Sequence, residues 1–208
     1  SRLPMIIIDC PSVIRNRAMF SARGAGILGF SIFGSRRIYA LDDDMNLNLE
    51  GLRAFLDKYK GEKILLFGFT FMIWQYFYKE PLDLSRGILI HGGGWKKLQK
   101  EAVSKAEFKE RLREVCGIEH VMDYYGMVEQ TGCIYMECEC GHLHASIYSD
   151  IIPRRMRDFS VRWEKRACFR WCPCFRNPIR ATPYLRRTRG FCWARMTVPA
   201  DAWENISK

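Results

Sequence analysis

The stretch GILIHGGGWKKLQKEAVSKAEFKERLREVCGIEHVMDYYG, residues 87–126, sets the fold class of this chain. Residues 87–91 form a short apolar run that reads as a buried strand, and the run passes directly into Gly92, Gly93 and Gly94. Ser104 followed three residues later by Glu107 makes a capping box, so a helix is expected from there to about Val115. Residues 120–125 then read as a second strand. Strand, helix and strand in succession imply parallel strands with a helix laid over the sheet.

The segments on either side repeat this alternation. Residues 5–8 are an apolar run ended by Pro11 and read as a buried strand. GAGILGFSIFGSRRIYAL follows, a glycine-punctuated apolar segment leading to a second strand around residues 37–41. Residues 46–59 place Leu49, Leu52, Phe55 and Leu56 at helical spacing, with Gly61 as the stop. Residues 63–69 read as a strand, 71–79 as a helix, and 134–137 and 143–152 as two further strands. The expected fold class is therefore α/β, with a mostly parallel sheet covered by helices on both faces.

The most apolar window, residues 64–78, is shorter than the roughly 20 residues a bilayer span requires. It is also broken by Gly68 and Thr70, so it reads as buried core and the expected location is cytoplasmic. The sequence opens at Ser1-Arg2 without a signal-like n-region or h-region, and this start reads as a truncation. The net charge of +10 is unevenly spread. Residues 155–208 hold 13 of the 33 Lys+Arg and 4 of the 23 Asp+Glu, so they carry +9 of it and the body is nearly neutral.

That basic tail also holds four of the six tryptophans and four of the nine cysteines. Its arginines show no helical or strand period. Three readings compete: a nucleic-acid-binding arm, a zinc module built on Cys168, Cys172, Cys174 and Cys192, and translation out of frame. A two-nucleotide offset from Ala167 onward permits a strand-like run, plausible loops and a CPCG sequence, and the third reading is preferred. Two segments are thus expected: residues 1–160 as a partial catalytic domain, and 161–208 as a disordered Arg/Trp/Cys-rich tail.

Two motifs carry chemistry. ILIHGGGWKKL ends a strand in three glycines, where no Cβ stands between a ligand and the backbone. In open α/β sheets ligands bind beyond such strand ends. The motif lacks the GK[ST] of a Walker A loop. DYYGMVEQTG, residues 123–132, sets an aromatic ring, a glycine and an acid at fixed spacing just after a strand. Read alone, the first is more simply a tight turn and the second a strand end with a solvated Glu129.

Together and in this order, with FGFTFMIWQ before them and ECECGHLHASIYSDIIPR after, the motifs resemble the LuxE-type acyl-protein synthetases of the adenylate-forming superfamily. The resemblance spans about residues 3–160. It implies part of the large N-terminal domain of such an enzyme, using ATP and Mg²⁺ to activate a carboxylic acid, by family default a fatty acid. Acyl-AMP and pyrophosphate form first, and a thiol of a partner protein or reductase then takes the acyl group. By resemblance, Gly92, Gly93, Gly94, Trp95, Tyr125, Gly126, Met127 and Glu129 border the adenylate. Tyr125 stacks on adenine and Glu129 holds Mg²⁺ in the catalytic role, while Phe69, Thr70 and Trp74 wall the acid pocket.

The chain departs from the family pattern in places. Val128 replaces a phosphate-contacting threonine, a change shared by LuxE-like sequences. No Ser/Thr/Gly-rich phosphate loop is present, and none of the residues matches the ribose-binding aspartate motif in frame. The chain by itself is therefore expected to be inactive. CECGHLH offers Cys138, Cys140, His142 and His144 as a possible zinc set, since residues two apart share a strand face. A strand of metal-free Cys and His is the plainer alternative, and a zinc-stabilised non-catalytic scaffold remains a rival function, as does a basic nucleic-acid-binding protein. Asp42, Asp43 and Asp44 read as a solvated helix N-terminus, Cys10 and Cys116 as core thiols, and His91 as structural or catalytic with equal weight.

Overall fold

The computed structural model describes residues 2–15, 21–77, 80–126, 134–144 and 198–199. Apolar side chains on both faces drive Leu3–Ile8 (β1) into the centre of the sheet, where five of its six residues are buried. The chain then forms a short turn of helix, Ser12–Arg15 (α1), and a longer helix, Ala22–Ser31 (α2). Ser21 caps α2 by accepting from the Gly24 N–H at 3.2 Å. Strand Gly34–Tyr39 (β2) follows, then helix Leu49–Lys58 (α3), capped by Asn48. Next come strand Ile64–Phe69 (β3), fully buried, and one α-turn Thr70–Met72 (α4) that loosens into a π-turn at Ile73–Phe77. Gly87–Gly92 (β4), a 3₁₀ stretch Lys96–Glu101, helix Lys105–Cys116 (α5) and strand His120–Gly126 (β5) complete the parallel part. Ile134–Glu137 (β6), His142–His144 (β7) and Val198–Pro199 (β8) extend it.

The sheet order is β2-β1-β3-β4-β5-β6-β7-β8. The first five strands are parallel, and β6, β7 and β8 add on antiparallel. The two faces are covered by different helices. Phe69 pairs in register with Gly92, and Gly68 with His91, so Phe67 and Phe69 point to the face opposite His91. On the first face Phe30 of α2 lies 4.4 Å from the Phe67 ring and 4.6 Å from that of Tyr124. On the other, Phe108 of α5 lies 4.9 Å from His91 and about 6 Å from both Trp74 and Trp95. The fold is α/β, as the alternating pattern implied.

Several boundaries differ from the sequence expectation for identifiable reasons. The glycine-punctuated segment is a helix, α2. Gly26 gives it a face flat enough that an added Cβ would sit 3.1 Å from the Phe69 ring, so close packing outweighs the poor helix propensity of glycine. The second strand runs from Gly34 to Tyr39, not 37–41, because it follows the register of β1; Leu41 makes only an isolated bridge to Leu47. The helix expected at 71–79 starts at Thr70 and is one α-turn followed by a π-turn. Ser104 caps α5 as expected, accepting from the Glu107 N–H at 3.2 Å, but the Glu107 carboxylate turns to Arg111 at 2.8 Å. Asp42–Asp44 is not a helix N-terminus. Asp42 accepts from the Asn46 N–H and Asp43 from the Ser12 N–H, so these side chains tie loops together ahead of α3. Of the strand expected at 143–152, His142–His144 is formed and the remainder lies outside the described residues, as does all of the basic tail except Val198 and Pro199.

Candidate functional site

In a sheet ordered 2-1-3-4-5, successive connections leave in opposite directions at β1 and β3, opening a crevice beyond their carboxyl ends. The sequence motifs converge on this same edge. Phe69 ends β3 and Thr70 follows it, Gly92–Trp95 end and leave β4, and Tyr125 and Gly126 end β5 beside them. Their adjacency comes from strand pairing, since Gly92 lies opposite Phe69 on one side and Tyr124 on the other. Met127 and Glu129 lie outside the described residues.

The three glycines do not play the same part. A Cβ on Gly92 would stand 2.5 Å from the Tyr124 ring and 2.8 Å from the Tyr124 carbonyl oxygen, so this glycine serves the packing of the sheet itself. Gly93 has φ +77° and faces Phe69, whose ring an added Cβ would approach to 3.1 Å. Only Gly94 looks into open space, with nothing within 4 Å of an added Cβ. Gly93 and Gly94 are both exposed, so the close backbone approach expected for a ligand is available at the tip of the turn and not at its root.

The residues expected to wall an acid pocket divide between the two faces. Phe69 sits with Phe67 and Phe71, its ring 5.9 Å and 6.5 Å from theirs. Thr70 and Trp74 join the α5 face, where Trp74 meets Trp95 edge-on at 5.2 Å and Arg111 lies over the Trp74 ring at 5.3 Å. All three are buried. Tyr125, half-buried, sits 6.1 Å from Tyr135 across the β5–β6 pair. The ring packed directly against the glycine turn is its neighbour Tyr124, also half-buried, and burial of its hydroxyl pushes its pKa up to about 12.

Beneath the turn lies a polar group that the motifs did not specify. His91 is buried on β4, with its Nδ1 3.0 Å from the Thr70 hydroxyl, which itself lies 3.3 Å from the Gly92 carbonyl. Burial pulls the imidazole down to about 4, against the opposing pull of the Asp123 and Glu137 carboxylates, so the ring is neutral at physiological pH. Asp123, opposite His91 in register, pairs with Lys105 at 2.5 Å. Glu137, buried on β6, accepts from Lys109 and from the Asp123 backbone N–H, each at 2.9 Å. A second charged pair stands at the end of β1. Asp9 is buried, its Oδ1 accepts from the Cys10 N–H at 2.8 Å, and Arg23 of α2 reaches its Oδ2 at 3.1 Å as an ion pair outside hydrogen-bond alignment. Burial raises its pKa, more than Arg23 lowers it. Asp9 could have been flagged in the sequence as a carboxylate ending an all-apolar run; Arg23, Lys105 and Lys109 carried no such signal.

The possible zinc set does not share one strand. Gly141, at φ +75°, turns the chain between β6 and β7, and the Gly141 N–H donates to the Cys138 carbonyl at 2.9 Å. Cys138 and Cys140 therefore belong to the turn, and only His142 and His144 share a strand face, on either side of buried Leu143. Among the described residues no group of three or more His, Cys, Asp or Glu is placed to hold a metal ion. Cys10 and Cys116 are core thiols, and burial pushes Cys116 up to about 11.

A mostly parallel sheet covered by helices, with a glycine turn and an aromatic-glycine strand end meeting at one edge, defines an α/β protein. The family model described as "Acyl-protein synthetase, LuxE" matches residues 2–162, and the chain belongs to this family. No curated protein and no solved structure matches it. Among the described residues no helix is long and apolar enough to cross a membrane.

Proposed function

We propose that this chain is the adenylating part of an acyl-protein synthetase, which activates a carboxylic acid, most simply a fatty acid, with ATP and passes the acyl group to a protein thiol. The observation carrying this reading is the meeting of Gly92–Trp95 with Tyr124–Gly126 on adjacent strand ends in a member of this family. Exposed backbone at Gly93 and open space at Gly94 leave room for a nucleotide against the turn. Tyr125 offers a half-buried ring to stack on a purine.

In the proposed reaction a carboxylate oxygen attacks the α-phosphorus of ATP, the bond to the bridging oxygen breaks, and pyrophosphate leaves. A thiolate then attacks the acyl carbon and AMP leaves. Neither step needs an acid–base pair from the protein so much as alignment and charge neutralisation. Glu129 would hold Mg²⁺, which supplies charge neutralisation at the phosphates. The aromatic group Trp74, Trp95 and Phe108 excludes water from the α5 side of the turn. Neutral His91 adds no charge beside it.

The test is carboxylate-dependent ATP–pyrophosphate exchange by the full-length protein, against a panel of fatty and aryl acids. Exchange with one acid class, lost on Glu129→Ala with the fold intact, is the expected result. A folded protein giving no exchange with any acid overturns the reading.

A further inference from the structure

His91, at the root of the glycine turn, has no assigned part in the chemistry above, yet its bonding is strongly constrained. Thr70 Oγ1 lies 3.0 Å from His91 Nδ1 and 3.3 Å from the Gly92 carbonyl oxygen, all within the buried base of the turn. A threonine hydroxyl has a single proton to donate. If that proton goes to Nδ1, the ring proton sits on Nε2, where this buried nitrogen finds no acceptor among the described residues. If it goes to the Gly92 carbonyl, Nδ1 keeps the ring proton and donates to Thr70, and only a lone pair at Nε2 is left unused. An orphaned buried N–H is the rarer and costlier of these two defects, so the second arrangement wins.

The direction of the relay is then set: His91 Nδ1–H donates to Thr70 Oγ1, and Thr70 O–H donates to the carbonyl of Gly92. Both ends matter to the site. Thr70 opens the segment after β3, on the acid side, and Gly92 is the last residue of β4 before the exposed turn on the nucleotide side. Gly93, with φ +77° and little to pack against beyond Phe69, takes its direction from the peptide that Gly92 begins.

We propose that His91 is a positioning residue for the nucleotide turn, acting through Thr70 to orient the Gly92–Gly93 peptide and to tie the acid-side segment to the ATP-side loop. This rests on the adenylating role proposed above. His91 itself touches neither substrate. Its burial beside Phe108 keeps the imidazole neutral against the pull of the Asp123 and Glu137 carboxylates, so that it holds the turn without placing a cation beside it.

Two measurements test the assignment separately. The first is NMR of isotope-labelled imidazole nitrogens, which needs no catalysis. His91 is expected as the neutral Nδ1–H tautomer between about pH 5 and 8, and an Nε2–H tautomer would overturn the relay. The second is ATP–pyrophosphate exchange by the full-length protein. Thr70→Val, which keeps the shape and removes the hydroxyl, is expected to lower kcat/KM about tenfold, the effect of one buried hydrogen bond. Thr70→Ser is expected to recover most of that loss. Equal loss in both variants would show that the methyl packing matters and not the relay. Where Thr70→Val does not fold, His91→Asn, whose amide nitrogen stands near the Nδ1 position, is expected to exceed His91→Leu, and equality of those two counts against the proposal. Absence of exchange in the unaltered protein would sink the adenylating role, while the tautomer would still decide the relay.

Discussion

Gly92→Ala separates glycine used by the fold from glycine used by a ligand. The new methyl would stand 2.5 and 2.7 Å from two atoms of the Tyr124 ring and 2.8 Å from the Tyr124 carbonyl oxygen. The ring can swing, but it is held against Phe30 at 4.6 Å and Phe67 at 5.9 Å. The carbonyl belongs to β5, whose Tyr124 is in register with Gly92, so it cannot retreat without opening the strand pair. Overpacking of this kind costs about 1–3 kcal/mol, and a lost aromatic pair adds about 1 kcal/mol. A destabilisation of about 3 kcal/mol is expected, which lowers the urea midpoint by about 1–2 M at ordinary m-values. Gly94→Ala is the control, with nothing within 4 Å and no left-handed φ, and its stability should stay within about 0.5 kcal/mol of the unaltered protein. Urea unfolding followed by tryptophan fluorescence reads both. Gly92→Ala with an unchanged midpoint would refute the claim that Gly92 serves the sheet. Gly94→Ala that keeps its stability but loses nucleotide binding would place the ligand at the tip of the turn.

Further outcomes follow from the buried groups. The folded pKa of His91, about 4, lies below its ordinary 6.5. Between these values the unfolded chain takes up a proton that the folded chain excludes, so stability is full above pH 6.5 and falls as pH drops towards 4, by on the order of 3 kcal/mol. Asp123 and Glu137 hold this fall in check and Lys105 and Lys109 deepen it; denaturation midpoints from pH 7 to about 4 should show the loss, flattened in His91→Asn. Cys116, raised to about 11 by burial, and Cys10, also buried, should resist alkylation at pH 8 in the native protein and react on unfolding, whereas exposed Cys140 should be modified before either of them. Peptide mapping after timed iodoacetamide treatment checks this, and early modification of Cys116 would contradict its packing. Ser104→Ala should cost about 1 kcal/mol through loss of the α5 cap, visible as a lower melting temperature.

Local chemistry made much of this legible in advance. Continuous apolar runs announced β1, β3 and β4, because a strand buried on both faces has no polar alternation to keep. Ser104 and Glu107 announced the start of α5, since a cap is a contact between residues three apart. The two motifs at residues 92–95 and 125–126 could be read as one site only through the family resemblance, and membership in that family is what the match over residues 2–162 establishes. Elsewhere local signals misled. Glycine content obscured α2, whose stability comes from how closely Gly26 lets it approach Phe69, a contact made 43 residues along the chain. The alternation of Cys138, Cys140, His142 and His144 suggested one strand face until Gly141 turned the chain.

Short-range order thus rests on side-chain period, caps and turn residues, all of which a linear string displays. The strand order rests on something else: which apolar faces find each other once α2 and α5 take opposite sides of the sheet. That choice alone splits Phe69 from Thr70 and Trp74 and gives each of the three glycines its own task. It also sets Thr70 against His91 and Arg23 against Asp9. Each of those pairs joins a buried polar atom of His91 or Asp9 to a distant segment, and no periodicity in the sequence encodes where a buried polar atom will find its partner.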